Sequence, residues 1–142
     1  MSHFLTFVLV GRGEADVAGR VRELMGPYFA PDGVDASGGA RVKCDGYVIG
    51  GRYDGQLFGA APEYDLTPKA FQERYGLDVL KDEDNVRTAS EVPEGLVPYA
   101  VVTHAGVWLD CEGRDAAAWR ALVKEMLRSH GDGLVVAVDC HC

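Results

Sequence analysis

Residues 3–10 (His-Phe-Leu-Thr-Phe-Val-Leu-Val) run almost without a polar break. Leu5, Phe7 and Leu9 would leave one face of a strand, and Phe4, Val8 and Val10 the other. Apolar side chains on both faces predict a strand buried on both sides. Gly11-Arg12-Gly13 ends the run, and from Glu14 the apolar positions change to helical spacing. Val17, Ala18, Val21, Leu24 and Met25 fall on one stripe, with Glu14 and Asp16 where a helix dipole favours negative charge. Gly26-Pro27 stops the helix.

The C-terminal part repeats this logic. Tyr99–His104 and Val107–Cys111 are strand-like runs joined at Ala105-Gly106, a hairpin signal. Asp115 is placed to cap a helix whose apolar face holds Trp119, Leu122, Val123, Met126 and Leu127, ending at Gly131. Leu134–Val138 forms a last buried strand. Strand, helix, strand, strand, helix, strand predicts an α+β fold, a ferredoxin-like βαββαβ sheet with its first and last strands side by side. The core is then 1–28 and 97–142 of a single domain, with residues 29–96 inserted between the first helix and the second strand.

That insertion is Gly-rich, with ten of the eighteen glycines, and carries thirteen acidic against seven basic residues. It is too long for a structureless loop in a compact domain. Tyr47-Val48-Ile49 and Gln56-Leu57-Phe58 read as short strands, Thr67-Pro68 as a helix start with Gly76 as its stop, and residues 81–85 as a solvated turn. The first strand needs cover on both faces, so the insertion is expected to pack on the face that the helices leave open.

The chain has 142 residues, enough for one real core, and a net charge of −8. A field of that sign repels phosphate backbones and anionic lipid, which excludes non-specific nucleic-acid coating and membrane association. No apolar run reaches the roughly 20 residues that span a bilayer. No basic segment precedes the first apolar run, so a cytoplasmic protein with reduced thiols is expected. Cys140-His141-Cys142 lacks the thiol spacing of a zinc knuckle, and no metal site is predicted there. No cofactor motif is present.

Three segments are similar to one group of sequences. Cys44-Asp-Gly-Tyr-Val-Ile-Gly-Gly-Arg-Tyr-Asp-Gly55, the Pro98–Trp108 hairpin and the closing Val138-Asp-Cys-His141 resemble, in this order, a group of uncharacterised bacteriophage and actinobacterial proteins. That group usually carries Trp where Cys44 and Tyr53 stand here. The resemblance implies a phage-related origin and brings no activity with it.

Two stretches carry candidate chemistry. In Ile49–Gly55, Gly50 and Gly51 permit positive φ and close approach of backbone N–H groups to a ligand. Arg52 can grip a phosphate or carboxylate there, while Tyr47 and Tyr53 offer rings for stacking. At the chain's end, Asp139 and His141 project from one strand face as an acid–base pair, with His3 expected opposite them. The expected function is binding of an anionic small molecule, nucleotide-like or phosphate-bearing, in a pocket between sheet and insertion. A hydrolase using Asp139 and His141 with Arg52 as anion anchor is the second reading. A non-catalytic phage-derived interaction module, binding a host protein through its acidic face, is the third, and a homodimer is a separate expectation.

Overall fold

The structure is a computed structural model and describes residues 3–29, 43–59 and 85–141. The predicted helix over 67–76, residues 81–84 of the turn predicted over 81–85, and Cys142 lie outside these residues. The elements are β1 (His3–Val10), α1 (Val17–Met25), β2 (Gly46–Ile49), β3 (Val86–Thr88), β4 (Ala100–Val102), β5 (Trp108–Asp110), α2 (Ala116–His130) and β6 (Leu134–His141). The Asp115 carboxylate caps α2 as predicted, accepting the Ala118 N–H, whereas α1 starts later than expected: Asp16, predicted in its first turn, is instead its cap and accepts the Gly19 N–H.

Among the described residues the fold is α+β with a mixed six-stranded sheet in the order β2-β6-β1-β4-β5. β1 and β6 pair along their whole length, from His3↔His141 to Val10↔Leu134, as predicted. β4 lies on the other side of β1, parallel to it. β2 and β3 share the outer edge of β6, at its C-terminal and N-terminal halves respectively.

This arrangement corrects the predicted topology. The strand order is not ferredoxin-like, because β1 and β4 are direct neighbours with no strand between them. The crossover from β1 through α1 lands first on β2, passing over β6. The crossover from β5 through α2 lands on β6, stepping the same way across the sheet along strands of the opposite direction. Two right-handed crossovers of this kind put their helices on opposite faces.

The side-chain layers agree. Val21, Leu24 and Met25 of α1 pack with Val8, Val10, Val136 and Val138 on one face. Trp119 and Val123 of α2 pack with Leu5, Phe7, Leu9 and Val135 on the other. The two-sided apolar pattern of β1 is thus met by one helix per face. Of the insertion, the described residues 43–59 and 85–96 add to both layers, with Cys44 and Tyr47 on the α1 side and Leu57, Ala89 and Val92 on the α2 side. They also contribute edge strands to the sheet, and Gln56–Phe58, predicted as a strand, is a 3-10 turn that sends Leu57 into the α2-side layer.

Candidate functional site

The β1–β6 register sets His3 opposite His141 and Leu5 opposite Asp139, so all four side chains leave the sheet on the α2 face. Asp139 is 2% exposed. Its Oδ1 accepts a hydrogen bond from His3 Nδ1 at 2.8 Å. A carboxylate only accepts, so Nδ1 is the donor, and in the neutral ring the lone pair is then on Nε2. Oδ2 accepts the backbone N–H of Arg52 at 3.0 Å. Both oxygens of a buried acid are therefore occupied, one by a ring and one by the main chain.

The main-chain partner comes from a turn that only glycine can build. Gly50 and Gly51 have φ of +80° and +56°, a region costly for residues with a Cβ. A Cβ on Gly51 would lie 2.6 Å from Asp139 Cβ. The turn is tied to β6 by the Gly50 N–H, which donates to the Ala137 carbonyl at 2.9 Å. Its far end is pinned by Asn85, 1% exposed. Asn85 Nδ2 donates to Asp54 Oδ1 at 2.8 Å, and Asn85 Oδ1 accepts the Gly55 N–H at 3.2 Å.

Several sequence-predicted site residues meet here and others do not. His3, Gly50, Gly51, Arg52 and Asp139 come together, with Arg52 exposed beside the buried acid. The pairing of Asp139 with His141 does not form. The His141 ring instead lies over Gly46, whose missing Cβ opens the space, and its Nδ1 sits 3.9 Å from Asp45 Oδ1. His141 remains a neighbour of His3, with ring centroids 5.5 Å apart. The tyrosines split across the sheet. Tyr53 packs with the α2-side layer, whereas Tyr47 packs with the α1-side layer, edge-on to Phe29. They cannot sandwich one ligand ring.

Most of the backbone N–H groups expected to face a ligand are engaged inside the chain. The N–H groups of Gly50, Arg52, Tyr53, Asp54 and Gly55 bond within the chain, so the turn grips the protein's own carboxylate. Sequence reading missed Asp45 and Asn85. Asn85 follows an acidic run and looks like a solvated residue, and nothing local announces its burial.

The opposite face holds two buried thiols. Cys140 Sγ lies 3.3 Å from Thr6 Oγ1, and Cys44 Sγ donates to the Tyr28 carbonyl at 3.7 Å. The hydrogen bond with Cys44, then burial, pushes the Cys140 thiol well above its usual range. A thiol that resists ionisation is a poor nucleophile. Iodoacetamide at pH 8 is expected to modify half-buried Cys111 and leave Cys140 untouched until the chain is unfolded in guanidinium, as read by peptide mass mapping.

No group of three or more His, Cys, Asp or Glu among the described residues is arranged to hold a metal ion. No helix among the described residues is long and apolar enough to cross a membrane. Two open cavities are lined by described residues. One, of about 670 Å³, lies at the C-terminal end of β1 beside Arg12, Arg20, His104 and His130. The other, of about 820 Å³, runs along α2. Neither is lined by His3, Arg52, Asp139 or His141. The chain matches no family model, and no curated protein or solved structure is detectably similar to it.

Proposed function

We propose that the sheet end where β1, β6 and residues 50–55 meet binds an anionic, phosphate-bearing small molecule, and that His3 moves a proton there. The observation that carries this reading is the buried Asp139 carboxylate, fixed by the Arg52 N–H and aimed at a partly exposed imidazole. Such an acid holds the ring in one tautomer and one orientation. Nε2 then takes a proton from water as its oxygen attacks an ester, and returns that proton to the leaving oxygen. Asp139 is a positioning residue, and the exposed Arg52 side chain supplies a cation for the ligand's anion. His141, beside His3, extends the polar surface.

Thermal shift with inorganic phosphate, AMP and ATP, and turnover of p-nitrophenyl phosphate, test this assignment. Stabilisation by the anions is expected, and Arg52→Ala is expected to abolish it with the fold intact. His3→Gln is expected to lower turnover about 100-fold or more, the usual worth of a general base, while keeping the anion-induced shift. Absence of any shift at millimolar anion removes the binding site. Turnover unchanged in His3→Gln removes the proton-transfer role.

A further inference from the structure

The chain carries a net charge of −8, yet Arg120, Lys124 and Arg128 recur every fourth residue of α2 and so share one helix face. They border the cavity of about 820 Å³ between α2 and residues 89–97. Its floor is apolar. Val123 is buried, and Val92, Val97 and Leu127 are half-buried members of the layer under α2.

The cations on the rim are weakly engaged. Glu94 reaches over from the loop to Lys124 at 3.2 Å, with both side chains mostly exposed. Arg128 lies 3.5 Å from Glu125, again at the surface. Ion pairs this exposed contribute little to stability. Arg120 is exposed, and its guanidinium has no ion-pair or hydrogen-bond partner among the described residues.

We propose that this groove binds a small amphipathic anion, an alkyl chain ending in a carboxylate. The chain lies on the Val92–Leu127 floor, and the head group sits between Arg120 and Lys124 and displaces Glu94. A purely polar anion would leave the floor wet, and an uncharged alkyl chain would leave the cationic row unused. The volume is that of a small-molecule site, within the usual range of about 300–1,000 Å³. This site shares no residue with the one around His3.

Titration of the full chain with dodecanoate, followed by calorimetry and backbone amide shifts, tests the proposal. One molecule per chain is expected, with shifts confined to residues 89–97 and 120–131. Dodecan-1-ol and acetate are each expected to bind about tenfold more weakly or worse. Combining Arg120→Glu with Lys124→Glu is expected to cost about tenfold or more in affinity. Leu127→Glu removes the floor, with circular dichroism confirming that the helix is kept. Equal affinity for dodecan-1-ol, an unchanged double variant, or shifts centred elsewhere overturns the proposal. So does a response at these residues to an acidic peptide but not to dodecanoate, which would make the groove a protein-docking surface.

Discussion

Asp139→Asn is expected to leave the chain folded while turning His3 to its other tautomer. The carboxylate accepts from two donors, His3 Nδ1 and the Arg52 N–H. An amide of the same shape has one accepting oxygen and one donating nitrogen. The oxygen is retained by the Arg52 N–H, because that donor is fixed in the backbone and cannot change sign. The nitrogen then faces His3, whose Nδ1 must become the acceptor, so the proton moves to Nε2. The lone pair assigned to proton transfer is lost without moving any atom far. Nitrogen chemical shifts of the His3 ring read this switch directly, and turnover should fall with it. Asp139→Ala is the harsher companion. It leaves two part-buried donors without their acceptor and removes two hydrogen bonds to a charged group, a loss of about 3 kcal/mol. For a chain of this size that is a fall in Tm of roughly 10 °C. A Tm unchanged in Asp139→Ala, or an unchanged His3 tautomer in Asp139→Asn, would show that the acid does not position the ring.

The same site shows how far the sequence could be read. Local signals sufficed for β1, the hairpin, the end of α1 and both ends of α2, because each rests on neighbours in the chain: alternating apolar faces, an Asp cap, a Gly stop. The side-by-side placement of β1 and β6 also followed, and with it the meeting of His3 with the end of β6. The crossover from α1 to β2 did not follow. Where a strand lands in a sheet depends on edges that distant segments leave open, and a four-residue strand such as Gly46–Ile49 carries little of that information. The helix faces were misjudged for the same reason, since handedness fixes the face only once the destination is known. In the site, the i, i+2 spacing of Asp139 and His141 placed both on one face correctly. It could not say that Gly46 would draw the imidazole toward β2 and leave the carboxylate to His3.

Gly50→Ala is expected to destabilise the chain by about 3 kcal/mol, and Gly59→Ala by about 1 kcal/mol. Both glycines have positive φ, at +80° and +87°. They differ in what a Cβ would meet. At Gly59 nothing lies within 4 Å, and the backbone sits in the ordinary left-handed region with ψ of 2°. Alanine there carries only the conformational cost. At Gly50 ψ is −87°, outside that region, and the added carbon would collide with Asp54 Oδ1 and lie 2.5 Å from Asn85 Nδ2. Asn85 is buried and closes the far end of the turn, so it cannot swing into solvent without leaving the Gly55 N–H unmet. The turn must then pull away from β6, and the Arg52 N–H goes with it, exposing the Asp139 carboxylate. Gly50→Ala should therefore also raise hydrogen exchange at the Arg52 and Gly55 amides and lower turnover, while Gly59→Ala does neither. Equal destabilisation by the two substitutions, measured by urea unfolding, would mean that the turn is set by backbone preference alone. The buried Asn85–Asp54 contact would then play no part in holding the site.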